Sequence, residues 1–468
     1  MIPCSRRLKK AGFAWQNRKK HMKDEAQILT RLEDLIGKAR AAGADAADAV
    51  FTESVSLSTA YRLGQRENLN RSESADLGLR VFSGKRQAIV SSSDMSDAAL
   101  AALVDRAMAM ARTVPEDRFA GLAEPGDLAT EFPDLEDCDD QEFDADALLA
   151  RAKDAEDAAR AVPGITNSEG AEAGWGRSTM AIVGSNGFAR GRTGSRHWIS
   201  ASVIAGKDMA MERDYDFASA VFAADLPTPG TIGQSAGEKT VRRLNPRKAK
   251  TEQVPIVFDP RVGNSLLGHL AGAINGDAVA RGTTFLKDKL GERIFPETIT
   301  IVDDPLRRRG LRSRCFDGEG AKTTRREVIS RGRLTTWILD LRSARQLKLA
   351  TTGHASRGTT SPPSPSPSNL YLEAGTPTPK ELMADIKAGL YVTEMMGFGV
   401  NGVTGDYSRG ASGFWIENGE LAYPVNEVTI AGNLKDMFAR VSAADDLEFR
   451  YGTNAPTLRV DGMTVAGR

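Results

Sequence analysis

The chain has 468 residues, of which 41% are hydrophobic and 26% charged, so it is long enough for two or three domains and can bury a core. This composition excludes a wholly disordered, collagen-like or coiled-coil protein, and the absence of any run of 18 apolar residues predicts no transmembrane helix. Lys plus Arg and Asp plus Glu both number 62, but residues 1–21 hold seven bases and no acid. The rest of the chain therefore has 55 bases against 62 acids, which argues against a general nucleic-acid binder.

Residues 1–21 lack the apolar stretch of a secretory signal. We predict that they form a disordered, dispensable basic extension and that the natural start is Met22, where a periodic helix begins. The three cysteines, Cys4, Cys138 and Cys315, are scattered and odd in number. They predict a reducing cytoplasm rather than a disulfide framework.

Residues 22–245 are predicted to form an N-terminal α+β domain of antiparallel strands with flanking helices. The apolar periodicity and turn signals place helices over 24–42, 96–113, 144–162 and 231–244, strands over 49–61, 77–82, 87–91 and 197–205, and a hairpin turn at 185–187. Residues 115–146 contain thirteen acids, one base and three prolines. This composition predicts a solvated acidic linker.

Residues 246–468 are predicted to form a strand-rich domain that is barrel-like or sandwich-like. The predicted elements are strands over 254–258 and 298–302, an apolar helix over 264–274, a hairpin over 328–338 that turns at Arg331-Gly332, a hairpin that turns at Asn418-Gly419, and a helix from the capping box Thr378–Glu381 to about Leu390. The segment Ser361–Ser368, which reads SPPSPSPS, predicts an ordered, extended loop inside this domain.

The residues by themselves point to no catalytic centre. Among the four histidines, His21, His197, His269 and His354, none has another histidine three to five residues away, so no zinc-binding helix pair is available. Residues 307–333 hold ten bases against three acids. A solvated or acid-paired strand face is the favoured interpretation of this basic stretch, and phosphate binding is the alternative.

Several motifs of the second half occur in an order that resembles the TldD/PmbA family of metallopeptidases, formerly called modulators of DNA gyrase. These motifs are VPIVFDPRVG at 254–263, SLLGHLAGAING at 265–276, GHASRG at 353–358, NLY at 369–371, GVTGDYSRG at 402–410 and PTLRVDG at 456–462. Within this family the chain is most similar to the PmbA-like, or TldE-type, subunits.

The resemblance implies two kinds of subunit. In TldD-like chains a helix carries His-Glu-x-x-x-His, and a cysteine near the C-terminus completes the zinc site. Here Gly268 and Ala273 occupy the histidine positions and His269 occupies the glutamate position, while 452–456 contain no cysteine. The resemblance therefore implies that this chain has no catalytic residue and no metal of its own, and that the zinc belongs to a TldD-like partner.

The predicted function is thus that of a TldE-type subunit in a cytoplasmic, heterodimeric metallopeptidase that cleaves unstructured peptides, without binding to membranes or nucleic acid. Whether this chain counts as an enzyme stays open. The candidate substrate-binding residues are Ser361, Ser364, Ser366 and Ser368 of the extended loop and Gly272 and Gly276 near the degenerate motif. One alternative is a regulatory protein that acts on DNA gyrase or a toxin–antitoxin pair without proteolysis. Another is a self-sufficient hydrolase that uses carboxylates such as Asp406 with an unrecognised metal.

Overall fold

The structure, a computed structural model, describes residues 25–467, so the predicted basic extension over 1–21 lies outside the described residues. The N-terminal half contains α1 (25–41), β1 (Ala46–Arg62), β2 (Gln65–Ser83), β3 (Arg86–Ser92), α2 (Asp97–Ala111), α3 (Ala145–Arg160), β4 (Ile165–Gly184), β5 (Ala189–Ala205), β6 (Glu212–Ala220) and α4 (Pro229–Arg242), with short 3₁₀ turns at Pro125–Asp127, Asp208–Ala210 and Ala223–Asp225.

The six strands of this half form one antiparallel sheet in the order β3-β2-β1-β4-β5-β6. Because side chains alternate across a strand, Ala49 and Phe51 of β1 lie on the same face and pack against α1 and α2. Further along that face, α3 and α4 cover Ile199 of β5. The predicted antiparallel sheet with flanking helices is confirmed.

The C-terminal half contains β7 (Glu252–Phe258), α5 (Pro260–Ala273), α6 (Gly276–Arg281), β8 (Ile301–Asp303), β9 (Arg326–Ser330), β10 (Arg333–Leu334), α7 (Leu341–Leu347), β11 (Ala355–Ser356), β12 (Ser364–Pro365), β13 (Leu370–Leu372), α8 (Pro379–Met383), β14 (Ala388–Val400), β15 (Asp406–Glu417), β16 (Glu420–Asn433), α9 (Leu434–Ala439), β17 (Val441–Ala443), β18 (Thr453–Asn454) and β19 (Leu458–Ala466).

The main sheet of this half closes into a barrel. Its strands run in the order β16-β15-β14-β7-β19-β17, and β16 pairs again with β19 through Thr429 and Ala466, so five strands form the closed ring and β17 is attached to β19 outside it. A second sheet, in the order β10-β9-β8-β13-β18, stands beside it. Of the two predicted arrangements, the barrel is the one that forms, and closure leaves its paired strands no free edge.

Local turn and cap signals account for many element boundaries. Asn418 and Gly419 have φ values of 50° and 82°, which is the double positive φ of a type I′ hairpin. Thr378 and Glu381 form the predicted capping box. The helix that follows was predicted to reach Leu390, and that prediction is wrong: α8 ends at Met383. Residues 384–387 form a turn, and pairing with β15 and β7 places the residues from Ala388 onward in β14, because strand hydrogen bonds on both sides outweigh local helix propensity.

The acidic segment over 115–146 runs along the second domain rather than projecting into solvent as a separate linker. Asp117 accepts a hydrogen bond of 2.7 Å from Arg342, and Glu136 accepts one of 2.6 Å from Arg309. Within the basic stretch over 307–333, Arg308 and Arg309 both pair with Glu136, so opposite charges link the two segments at this point. No helix in the described part of the chain is both long and apolar enough to cross a bilayer.

Candidate functional site

Helix α5 carries the positions where the resemblance places zinc ligands. Asp259 caps the helix by accepting from the backbone N–H of Arg261, and Pro260 occupies the first turn. Gly268 is exposed, with no atom within 4 Å of the place where a Cβ would stand, and Ala273 is buried. Neither residue offers a donor atom to a metal, so these positions do not fit a zinc site. The described residues also contain no cluster of three or more His, Cys, Asp or Glu side chains that could hold a metal.

His269 lies between these two positions and is half-buried. Its ring packs edge-on against Tyr407, with 5.8 Å between the ring centroids, and its Nε2 has no hydrogen-bond partner among the described residues. Burial, and then the positive charge of Arg409, lowers the pKa of His269. At neutral pH the ring is therefore uncharged and serves as a packing group beside the barrel strand β15.

The motif 353–358 contributes to a buried polar network. His354 Nε2 lies 3.1 Å from Asp303 Oδ1, and its Nδ1 lies 2.8 Å from the Thr352 hydroxyl. Ser368 donates two hydrogen bonds to the same carboxylate of Asp303, one from its hydroxyl group and one from its backbone N–H. All these side chains are buried, and the serine is bonded to the aspartate rather than to the histidine. The arrangement joins β8 to the extended loop and lacks the serine–histidine contact of a nucleophilic triad.

The four candidate serines of the loop Ser361–Ser368 lie in different surroundings. Ser361 and Ser364 are exposed, and Ser364 lies in β12, which pairs with β11. Ser366 is half-buried and lines an interdomain cleft. Ser368 is buried in the network around Asp303. The loop is extended, as its composition predicted, and lies in the C-terminal half of the chain.

The two candidate glycines also differ. Gly272 is exposed on α5, and a Cβ at this position would meet no atom within 4 Å. Gly276 is buried at the start of α6, where a Cβ would lie 2.4 Å from the Ser343 hydroxyl oxygen and 2.7 Å from a methyl group of Leu339. Gly276 therefore serves close packing between α6 and α7, whereas Gly272 leaves a flat, open patch on the helix surface.

A cleft of about 530 Å³ lies between the N-terminal sheet and the C-terminal half of the chain. One wall is the open face of the N-terminal sheet, and the small residues on it form the floor of the cleft. On this floor Ser54 of β1 pairs with Ser178 of β4, and Ser56 pairs with Gly176. The opposite wall consists of the loop 310–314 and of Ser366 and Pro367. The volume lies within the range of about 300–1,000 Å³ that is usual for ligand pockets.

Arginines dominate the charge of this cleft. The lining includes Arg177, Arg192, Arg196, Arg312 and Arg314, and its acidic member is Asp137. Burial, and then the charge of Arg314, lowers the pKa of Arg192. Arg312 and Arg314 belong to the basic stretch over 307–333, but no periodic signal in the sequence connects that stretch to Arg192 on β5. Only the docking of the two domains brings these guanidinium groups together.

Asp406, the carboxylate proposed for a self-sufficient hydrolase, is held in a turn. Its side chain accepts hydrogen bonds from the Thr404 hydroxyl at 2.6 Å and from the Asn433 amide at 3.1 Å. These bonds lower the pKa of Asp406. The residue orders the loop between β14 and β15 and lies outside the arginine-lined cleft.

Comparison with known proteins matches three stretches of the chain to the three domains of one family. Residues 47–111 match PmbA/TldA metallopeptidase domain 1, residues 138–244 match the central domain, and residues 251–467 match the C-terminal domain. The chain is 38% identical over 446 residues to the metalloprotease PmbA of Escherichia coli O157:H7, covering 95% of this chain and 96% of that protein. It is 37% identical to the metalloprotease PmbA homolog of Haemophilus influenzae, covering 95% and 97%.

Solved structures have the same fold. A Bacteroides thetaiotaomicron protein named as a modulator of DNA gyrase superposes with a TM-score of 0.86 at 26% identity, covering 94% of this chain and 98% of that one. TldE from Thermococcus kodakarensis superposes with a TM-score of 0.83 at 22% identity, covering 93% and 100%. The identity to the two metalloproteases over nearly their whole length, together with the three matched domains, means that this chain belongs to the PmbA/TldD family of metallopeptidases.

Proposed function

We propose that this chain is the TldE-type, zinc-free subunit of a heteromeric cytoplasmic peptidase, and that a TldD-like partner carries the zinc centre. The observation that carries the proposal is the chemistry of α5: Gly268 and Ala273 stand where the family's zinc-binding subunits have histidines, and neither has a lone pair to give. A member of a metallopeptidase family with such a helix contributes shape and binding surface to the reaction rather than a metal-bound water.

The likeness to TldE supports this assignment. The interdomain cleft supports a role in holding substrate, because its floor of serine and glycine residues leaves the sheet surface open to an extended chain. Ser366 and Pro367 border that cleft, and Ser361 and Ser364 extend the same loop toward solvent. An unstructured peptide is the ligand that suits such a surface, since a folded domain would not enter a cleft of about 530 Å³.

The test is reconstitution of the full chain with the zinc-bearing TldD-like subunit from the same organism. The chain alone should cleave no unstructured peptide, whereas the mixture should cleave it faster than the partner alone. His269→Ala should change the cleavage rate of the mixture by far less than the roughly 10²–10⁴-fold expected for loss of a general acid or base. Abolished turnover in that variant, with assembly intact, would contradict the proposal.

A steric block of the cleft provides a second measurement. Ser56→Trp places an indole on the cleft floor and should weaken peptide binding to the mixture. Ser72→Trp is the matched control, because Ser72 pairs with Ser56 across β1 and β2 but does not line the cleft. If neither chain nor mixture cleaves peptide, and the chain alone binds gyrase or an antitoxin, the non-proteolytic alternative replaces this proposal.

A further inference from the structure

The guanidinium groups of the cleft have few acidic partners. Arg192 donates to the backbone carbonyl of Ser313 at 3.1 Å, and Arg314 donates to that of Ser366 at 2.9 Å. Both acceptors are uncharged. In the described part of the chain neither arginine forms an ion pair, and the Nε of Arg314 is buried with no hydrogen-bond partner. Two cations thus face one space from opposite walls.

Strand β5 carries a second arginine, Arg196, that also lines the cleft. Arg192 and Arg196 are four residues apart on one strand, so their side chains project from the same face. Arg196 donates to the hydroxyl of Ser219 at 2.6 Å, again an uncharged acceptor. A line of positive charge therefore runs beside the small-residue floor made by Ser56 and Gly176.

Nearby carboxylates offset this charge only in part. Asp137 lines the cleft and acts on Arg192, while Asp317 and Asp303 act on Arg314 from behind the wall. Asp303 is already bonded to His354 and Ser368, and Asp317 accepts from backbone N–H groups. Burial lowers the pKa of Arg314, and the positive charge of Arg312 lowers it further. The charges of Asp317 and Asp303 raise it, but the pKa stays below its ordinary value. A guanidinium group without an ion-pair partner is costly to remove from water. A carboxylate ligand would offset that cost through charge-assisted hydrogen bonds.

We propose that Arg192 and Arg314 bind a carboxylate group of the substrate peptide, supplied by its C-terminus or by an Asp or Glu side chain. The proposal rests on the proposed function and adds a substrate class to it: peptides that are acidic or that end within the cleft. Arg196, on the same face of β5, adds a third positive charge beside the site, and the small-residue floor accommodates the peptide backbone. Arg192 and Arg314 are thus specificity-determining residues that act in binding rather than in bond cleavage.

The experiment uses the full chain and a short unstructured peptide with one glutamate near its free C-terminus and a fluorophore at its N-terminus. Three further peptides carry a C-terminal amide, a glutamine in place of the glutamate, or both changes. Anisotropy with the chain alone measures binding, and the complex with the TldD-like partner measures cleavage. Arg192→Gln and Arg314→Gln should weaken binding of the acidic peptide by roughly tenfold to a hundredfold, the loss expected for hydrogen bonds to a charged group.

The variants should bind the peptide with both changes as weakly as the wild type does. Whichever single peptide loses affinity identifies the source of the carboxylate, the C-terminus or the side chain. Arg71→Gln is the matched control, because Arg71 lies on β2 outside the cleft and is exposed. Arg196→Gln serves if Arg192→Gln or Arg314→Gln fails to fold, since Arg196 is exposed whereas the other two arginines are half-buried, and it should show a smaller loss in the same direction.

Equal binding of all four peptides to the wild-type chain would overturn the inference. Binding of a single-stranded oligonucleotide that Arg192→Gln abolishes, without a matching effect on peptides, would also overturn it and indicate a nucleic-acid site. If the complex cleaves acidic and neutral peptides equally well, the inference fails and the proposed function stands. If the chain alone binds acidic peptides through these arginines but the complex gains no cleavage, the proposed function fails and the carboxylate site stands.

Discussion

Arg357 donates a hydrogen bond to the carboxylate of Asp48 at 2.7 Å, across 309 positions of the chain. Arg80, on the strand next to Asp48, donates two more to the same carboxylate, and all three side chains are buried. Burial opposes the charged carboxyl, but the charges of Arg357 and Arg80 outweigh it and hold the pKa of Asp48 below its ordinary value. One carboxylate thus joins the motif 353–358 of the barrel domain to the N-terminal sheet.

Replacing the carboxylate of Asp48 should lower the stability of the folded protein. Asp48→Ala leaves two buried guanidinium groups without a counter-charge, so the free energy of unfolding should fall by about 3–5 kcal/mol. Urea denaturation followed by tryptophan fluorescence checks this. Glu73→Ala is the control, because Glu73 and its partner Arg71 are both exposed and such pairs contribute about 0–1 kcal/mol. A loss no larger than that of the control would refute the role given to Asp48.

Glu319 should make stability fall as pH rises toward 8. Burial, and next the charge of Asp317, raises the pKa of Glu319 to about 8, while Arg80 acts in the opposite direction. Between about pH 4.5 and 8 the unfolded chain has released this proton and the folded chain keeps it, so deprotonation favours unfolding. Glu319→Gln can still accept from the backbone N–H of Leu341 and should flatten the decline in melting temperature across that window. An unchanged pH profile would contradict this assignment.

Gly272 and Gly276 should respond oppositely to alanine. Gly272→Ala adds a methyl group to open space in the last turn of α5, and the gain in helix propensity should stabilise the protein by less than about 1 kcal/mol. Gly276→Ala forces its methyl group against Ser343 and Leu339 and should destabilise by about 1–3 kcal/mol. Thermal denaturation of both variants decides the matter, and equal shifts would show that α6 does not pack as described.

Alanine should destabilise the protein at Ser368 but not at Ser361. Ser368→Ala removes a buried hydrogen bond to Asp303, and the free energy of unfolding should fall by about 1–3 kcal/mol. Ser361→Ala changes an exposed hydroxyl and should remain within about 0.5 kcal/mol of the wild type. If Ser368→Ala left stability unchanged but weakened peptide binding, the serine would belong to the substrate site instead.

Zinc analysis of the purified full chain should find no stoichiometric metal, because Gly268 and Ala273 supply no ligand. Elemental analysis after dialysis against trace zinc measures the ratio. His269→Ala should leave the result unchanged. One zinc per chain that disappears in His269→Ala would show that the histidine binds metal with partners not recognised above.

Much of the fold could be predicted because its signals are local. Asn418-Gly419 specifies its hairpin through φ, and Ser96 and Asp144 begin their helices by capping. The helix predicted after Thr378 shows where this reasoning fails. Its capping box formed, yet strand pairing on both sides of β14 ended the helix seven residues early.

The sequence by itself determined the family resemblance and the loss of the zinc ligands, because side-chain chemistry at Gly268 and Ala273 does not depend on what surrounds them. Only the tertiary structure decided which candidate residues border a cavity. Ser366 faces the cleft while Ser368, two residues later, is buried against Asp303, and Arg192 meets Arg314 only because the domains dock. The burial of these arginines and the repulsion between them depend on their distance in space. The periodicity of β5 around Arg192 gives no information about its distance from Arg314, which lies more than 100 residues later in the chain.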